Sequence, residues 1–383
     1  MNKILVAGTG ITKFGELWSK SLRQLALEAS LLALKDAGLS PDDIDGVYVA
    51  NMIAPTTSGQ SHLGPLVTGE LGINVQAVHI EAACASGGTA IQLAAESIKS
   101  GQNKTVLVVG VEKMTDLSTP DITAALMQAS DDEVESFYGA NFAGLYALMA
   151  TVYMDKYGLT QKDLATIAVK NHHNARLNPN AHFHNSITVD DVLNSAPVAS
   201  PLKLFDCSPI SDGAAAVILT SETNVVKNKV KVSVLASSSA TDSLSLCNRQ
   251  DLTSLKSARL AAKNAYQQAN IKPKDINVAE VHDCFTIAEV FAMEDLGFYE
   301  KGMAFKGIRN AETTLSGKLP INTSGGLKGC GHPVGATGIK QVIEIVHQLE
   351  GTAGDRQIPN VRYGLTHNVG GSGSTCVVSI FGI

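Results

Sequence analysis

Glu81-Ala-Ala-Cys84-Ala-Ser-Gly87-Gly88-Thr89-Ala-Ile-Gln92 sets one cysteine among small residues and glycines, between two segments of different period. The run before it, Gln76-Ala-Val-His-Ile80, reads as a strand, and the run after it, Ala90 to Ile98, carries apolar residues at helical spacing. A strand, a tight turn and a helix follow one another, with sulfur at the turn. A thiol there feels the unpaired amides and positive dipole end of the helix, which favour thiolate, and its small neighbours admit a bulky substrate. The alternative is a small buried cysteine packed at a strand end. The rest of the chain decides between them.

Two passages recur in the same order. Ala37-Gly-Leu-Ser-Pro41-Asp-Asp43-Ile44 is echoed by Ala269-Asn-Ile-Lys-Pro273-Lys-Asp275-Ile276, an offset of 232, and both follow alanine-rich helical patterns and precede strands. Cys84-Ala-Ser-Gly87-Gly-Thr89-Ala-Ile91 is echoed by His332-Pro-Val-Gly335-Ala-Thr337-Gly-Ile339, an offset of 248. Ordered self-similarity of this kind implies two similar halves. Cys84 and His332 then occupy equivalent turns, free to face each other across one site. Around them, Leu22 to Ala37 reads as a helix closed by Gly38, Gly46 to Ala50 as a strand, Lys104 to Gly110 as a buried strand, and Arg362 to Asn368 with Ser374 to Phe381 as the closing strands. Strands alternating with helices give an α/β fold.

At 383 residues there is room for two or three domains of roughly 150 residues each. A net charge of -6 and the lack of any basic block argue against nucleic acid or an anionic membrane as partner. No apolar run approaches the ~18 residues of a membrane span, and the N-terminus has no signal-peptide core. A cytoplasmic protein is expected. The six cysteines (84, 207, 247, 284, 330 and 376) contain no Cys-x-x-Cys pair, so neither a disulfide framework nor a metal site is expected. Gly8-Thr-Gly10-Ile-Thr-Lys13-Phe-Gly15 fails as a dinucleotide fingerprint, because Lys13 stands where the third glycine belongs.

Between about Thr115 and Leu204 the rhythm changes. Asp116 to Glu135 is acidic and irregular, Ala143 to Tyr157 and Thr160 to Ala175 read as amphipathic helices, and a polar stretch then carries His172, His173, His182 and His184. The segment is expected to fold over one face of the first half, with those histidines solvated or on helix surfaces rather than ligating metal.

Three further segments join Cys84: His282-Asp-Cys284-Phe285, Asn322 to Gly338 with Cys330-Gly-His332-Pro, and His367-Asn368-Val-Gly370-Gly371-Ser-Gly. Each falls at a strand end, where α/β folds place ligands. They supply a thiol nucleophile, a histidine to take its proton, a second thiol to shuttle another, and amides for an oxyanion, an inventory suited to acyl transfer through an enzyme thioester. Taken singly, His332 reads equally as a turn histidine bonded to backbone, and Cys284 as a buried strand-end thiol.

This set resembles the four active-site loops of the thiolase superfamily, most closely the sterol-carrier-protein-type thiolases and the archaeal acetoacetyl-CoA thiolases, over nearly the whole chain. The resemblance implies a five-layered α/β/α/β/α fold of two pseudo-symmetric halves, 1–222 and 223–383, with a loop domain of about 115–204 inserted in the first, and a homodimer or dimer of dimers. It implies Cys84 as the acylated nucleophile with its pKa lowered by His332, and His282 with His332 as the oxyanion hole for the second thioester. The amides of Cys84 and Gly371 would form the oxyanion hole of the acyl-enzyme. The sequence departs from better-known thiolases in having His282-Asp-Cys-Phe for Asn-Glu-Ala-Phe and Asn368-Val-Gly370 for Cys-x-Gly; Cys284 then takes the acid/base role, with Cys330 as rival. The implied activity is acetyl-CoA C-acetyltransfer, in which two acetyl-CoA give acetoacetyl-CoA and CoA, with coenzyme A thioesters as substrates and no tightly bound cofactor. The implied partner is hydroxymethylglutaryl-CoA synthase, reached through a small zinc-ribbon and oligosaccharide-binding-fold protein in the mevalonate route. A degradative 3-ketoacyl-CoA thiolase and a non-catalytic acyl-CoA or lipid carrier are the alternatives.

Overall fold

A computed structural model describes residues 3–221 and 232–383; the expected division between residues 222 and 223 lies outside the described residues. The first passage runs β1 (Leu5–Ile11), α1 (Leu22–Ala37), β2 (Gly46–Ala50), α2 (Ala54–Thr57), α3 (Leu63–Leu71), β3 (Gln76–Ile80), α4 (Ser86–Lys99) and β4 (Thr105–Glu112). A long segment follows, with α5 (Thr119–Met127), α6 (Phe142–Tyr157), α7 (Gln161–Arg176), α8 (Val189–Asn194), β5 (Pro197–Ala199) and β6 (Leu202–Lys203), before β7 (Gly213–Thr220). The remainder comprises β8 (Ser233–Thr241), α9 (Lys256–Ala269), β9 (Val278–Glu280), α10 (Thr286–Asp295), α11 (Ala304–Arg309), α12 (Gly326–Cys330), α13 (Val334–Glu350), β10 (Tyr363–Gly370) and β11 (Thr375–Gly382).

Among the described residues, nine strands form one sheet in the order β3-β2-β4-β7-β1-β8-β11-β10-β9, and β5 and β6 pair with each other apart from it. Outward from the β1–β8 seam the sequence of partners is the same on both sides. β7 and β11 are antiparallel to their neighbours, β4 and β10 come next, and β2 and β9 lie parallel to them. A parallel bridge from Ala279 to Ile321 stands where β3 stands on the other side. The repeat in the sequence is thus a repeat in space. The seam itself is narrow, with Leu5 opposite Ser233 as its paired position.

Helices α4 and α13 pack on each other and reach strands on both sides of the seam, α1 and α3 cover the outer face of the first strand group, and α9 covers that of the second, with α10 packed against α9. This is the five-layered order. Buried glycines make the central layer possible: a Cβ on Gly110 in β4 would lie 2.2 Å from the Gly335 carbonyl oxygen, and one on Gly335 would lie 2.5 Å from that of Ala50. The same reason explains the failed fingerprint. Gly8 and Gly10 lie within β1, where a Cβ would meet Ala33 O at 2.4 Å or Ala29 O at 2.2 Å, so they let α1 approach the strand. Helix α1 has the expected bounds, set by a Ser21–Gln24 capping box and by Gly38 at φ 67°.

The segment between β4 and β7 departs from expectation in three ways. Its acidic start contains a helix, α5, capped by Ser118. Its helix α7 lies on α10, α11 and α12, against the second half rather than the first. The reason is polar. Lys170 pairs with Glu289 and donates to Ile321 O at 2.9 Å, Asn174 Nδ2 donates to Asn322 O at 3.0 Å, and Arg309 forks onto Asp163 at 2.7 and 2.8 Å. Finally, His173 and His184 are exposed as expected, but His172 is buried and stacks on Phe183, and His182 bonds Ser211 at 2.9 Å. Among the described residues no helix is long and apolar enough to cross a membrane.

Candidate active site

Cys84 stands at a strained turn. Ala83 has φ 51°, a left-handed conformation that costs a non-glycine residue ~1 kcal/mol. Ser86 holds it there: its hydroxyl donates to Ala83 O at 2.6 Å and accepts the Ala82 amide at 2.9 Å, and α4 begins at that serine. His332 lies two residues before α13, as Cys84 lies two before α4. Preceding His332 is the short helix α12, where the first half has strand β3.

One cavity, of about 120 Å³, is lined by Cys84, Cys284, His332, Gly371 and, from the inserted segment, Tyr146 and Phe142 among others. That is small beside the ~300–1,000 Å³ of ordinary ligand pockets. Cys84 Sγ and one ring nitrogen each of His282 and His332 lie within 4.8 Å of one another, and the two imidazoles meet edge to face at 5.2 Å. A soft metal ion could be held by this Cys-His-His set only by occupying the nucleophile itself. Cys330 is absent from the cavity lining. It is fully buried in an apolar cluster and accepts from Asn178 Nδ2 at 3.6 Å.

Hydrogen bonds assign the protons. The Thr337 hydroxyl has one proton and gives it to Pro333 O at 2.9 Å, so His332 Nδ1 must donate to Thr337 Oγ1 across 2.7 Å. Nε2 of His332 is left with a free lone pair. Asn368 Oδ1 accepts the Gly88 amide at 2.9 Å, so its Nδ2 donates to Cys84 O at 2.9 Å and to His282 Nδ1 at 3.4 Å. His282 therefore carries its proton on Nε2, a buried donor with no partner. Asn368 is thus the link that ties the Cys84 turn to the His282 ring. Asp283 fastens the same loop, accepting the Leu327 amide at 2.6 Å and Asn171 Nδ2 at 2.7 Å; burial, with the Glu289 carboxylate nearby, raises its carboxyl above the usual carboxylate range.

Burial, which outweighs the Gly371 amide at its sulfur, pushes the Cys84 thiol up to about 12. Burial also depresses His332 to about 3 and His282 well below the usual imidazole range. This corrects the expectation that the helix end and His332 favour a resting thiolate: desolvation costs the charged form more than the dipole returns. Both shifts favour a neutral thiol beside a neutral imidazole. Alkylation of Cys84 by iodoacetamide, followed by mass spectrometry, is accordingly expected to quicken about tenfold per unit from about pH 7 to about pH 10. A plateau near neutrality would indicate a preformed thiolate–imidazolium pair instead.

Glu112 was not singled out from the sequence. Fully buried, it accepts Asn51 Nδ2 at 2.6 Å, the Met52 and Ile53 amides at 3.0 and 3.1 Å, and the Gly335 amide at 2.9 Å, joining the end of β2 to the start of α13. Burial raises it to about 7. Tyr146 was missed as well, since an aromatic at helical spacing looks like core.

Residues 4–223 match the family model described as Thiolase, N-terminal domain, and residues 238–383 match Thiolase C-terminal domain-like. The acetyl-CoA acetyltransferase of Methanothermobacter thermautotrophicus is 45% identical over 383 residues, covering 100% of both chains. That of Methanocaldococcus jannaschii is 46% identical over 390 residues, covering 99% of each. Among solved structures, a chain of the Ltp2-ChsH2(DUF35) aldolase superposes with a TM-score of 0.86 at 26% identity, covering 99% of this chain and 97% of that one.

Proposed function

The chain belongs to the thiolase family, and from that premise we propose that it is an acetyl-CoA C-acetyltransferase, condensing two acetyl-CoA to acetoacetyl-CoA and CoA or running the reverse. The observation that carries this reading is the meeting of two thiols, Cys84 and Cys284, with the unprotonated Nε2 of His332 in one small cavity. The full-length identity to two archaeal acetyl-CoA acetyltransferases supports the two-carbon substrate, as does the size of the cavity. The same reading divides the chain into halves at 1–222 and 223–383, with about 115–204 inserted.

His332 Nε2 takes the Cys84 proton as sulfur attacks the first thioester, and the amides of Cys84 and Gly371 hold the oxyanion. Cys284 gives its proton to the departing CoA thiolate. The Cys284 thiolate then removes an α-proton from the second acetyl-CoA, whose enolate oxygen is held by protonated His332 and by the Nε2 proton of His282. Attack of the enolate carbon on the acetyl-cysteine makes the new bond, and His332 returns its proton to Cys84. Each donor aimed at developing charge contributes roughly 3 kcal/mol.

Condensation is uphill, so its product must be drawn off. Hydroxymethylglutaryl-CoA synthase, docked through a small zinc-ribbon and oligosaccharide-binding-fold protein, is the proposed consumer; likeness to a chain from an aldolase assembled with a DUF35 component supports a thiolase-like chain working within a larger complex. The test of the core reading is thiolysis of 3-ketoacyl-CoA substrates of increasing length by the purified protein. Strong preference for acetoacetyl-CoA is expected. Preference for longer chains moves the protein to degradation, and stoichiometric binding without turnover moves it to a carrier.

A further inference from the structure

Tyr146 is a buried phenol that none of the steps above uses. It rises from α6, whose first turn is fixed by Asn141 Oδ1 accepting the Gly144 amide at 2.9 Å, and it lines the cavity with both thiols. Its hydroxyl donates to Gly371 O at 3.2 Å, and its side chain lines the same small cavity as the Cys284 side chain. Its ring packs on Phe285 with centroids 4.8 Å apart and planes 32° apart, which leaves the hydroxyl little freedom to turn elsewhere.

One hydroxyl proton faces two acceptors of different kind. Against the protonated thiol of the resting site, the carbonyl of Gly371 is the better acceptor. Once Cys284 has given up its proton, the sulfur carries a full charge, and charge-assisted hydrogen bonds are roughly twice as strong as neutral ones. We propose that Tyr146 is a positioning residue of the condensation: its hydroxyl turns from Gly371 O to the Cys284 sulfur and holds that side chain as thiolate, aimed into the cavity, between departure of the first CoA and arrival of the second acetyl-CoA. The phenol keeps its proton throughout. The S–H bond of Cys284 breaks as the S–H bond of CoA forms, and the α-proton of acetyl-CoA later restores it, so protons and electrons balance within the residues named.

The other ionisable groups facing this pair are Cys84, Asp283, Arg249 and, across the cavity, His332. Arg249 is bound to the glycine-rich turn, donating to Ser372 O at 2.6 Å and Ser372 Oγ at 3.1 Å, and its charge lies near the Tyr146 phenol.

The inference rests on the acyl-transfer reading, and the two fail differently. Wild-type protein that neither condenses acetyl-CoA nor cleaves acetoacetyl-CoA sinks that reading; the present inference is tested by Tyr146→Phe in an active background. With acetyl-CoA as substrate, Tyr146→Phe is expected to lower condensation kcat about 30-fold and leave KM within about threefold. The ascending limb of the pH profile that Cys284→Ala removes should move up by about one unit. On a Cys284→Ala background the same change should cost less than about twofold, because the group it acts through is gone. An unmoved limb, or the full loss on both backgrounds, overturns the proposal in favour of a packing role. If Tyr146→Phe does not fold, 3,5-difluorotyrosine placed at 146 keeps the shape and strengthens the donor: the limb is expected to move down, and an unmoved limb is again the overturning result.

Discussion

Cys84→Ser is expected to lower acyl transfer by on the order of 10⁴-fold or more while leaving CoA thioester binding within about threefold. Burial has already raised the Cys84 thiol to about 12 and depressed His332 to about 3, so proton transfer between them is uphill even for sulfur. A serine hydroxyl is a far weaker acid than a thiol, and its shorter bond to oxygen also withdraws the nucleophile from the Gly371 amide that meets the sulfur. Binding is spared because the pantetheine and nucleotide portions of the substrate lie outside so small a cavity. Quenched-flow trapping of radiolabelled acetyl-enzyme, with equilibrium dialysis of CoA as control, reads both quantities. Acetyl-enzyme formation at near wild-type rate in Cys84→Ser would remove Cys84 as the nucleophile.

The second large effect separates two cysteines that the sequence leaves as rivals. Cys284→Ala is expected to slow both condensation and thiolysis about 10³-fold, within the usual range for loss of a placed general acid or base. Cys330→Ala should leave kcat within about threefold and cost roughly 1–2 kcal/mol of stability, as removal of a small buried side chain does. The contrast follows from placement. Cys284 shares the cavity with Cys84, whereas Cys330 points away into an apolar cluster beside Asn178, although it precedes His332 by only two residues. Near-normal turnover in Cys284→Ala with loss in Cys330→Ala would reverse the assignment.

The expectations that held were those carried by local pattern. Helix α1 could be placed to the residue because Ser21, Gln24 and Gly38 are local signals acting within one turn of chain. The two internal matches located the Cys84 and His332 turns because symmetry-related strands and helices need the same small residues wherever they cross: a Cβ on Gly87 would crowd the backbone around Gly335, and one on Gly338 would crowd Asn368 and Gly88. Where expectation failed, the cause was a distant partner. The face taken by α7 depends on Lys170 meeting Glu289 and Asp163 meeting Arg309, pairs more than a hundred residues apart that no helical periodicity reports. His172 looked like a surface residue in a polar stretch and is buried because Phe183 folds back on it.

What the sequence determined by itself was the alternation of strands and helices, the duplication, and the four loops from which the chemistry is drawn, since each is written in residues adjacent in the chain. Only the tertiary structure decided the state of that chemistry. Whether Cys84 rests as thiol or thiolate, which nitrogen of His332 and His282 bears the proton, which second cysteine stands within reach, and that Tyr146 joins them all depend on desolvation and on hydrogen bonds between segments far apart in sequence. Those terms of the free energy exist only once two helix starts and two strand ends have closed over one small cavity.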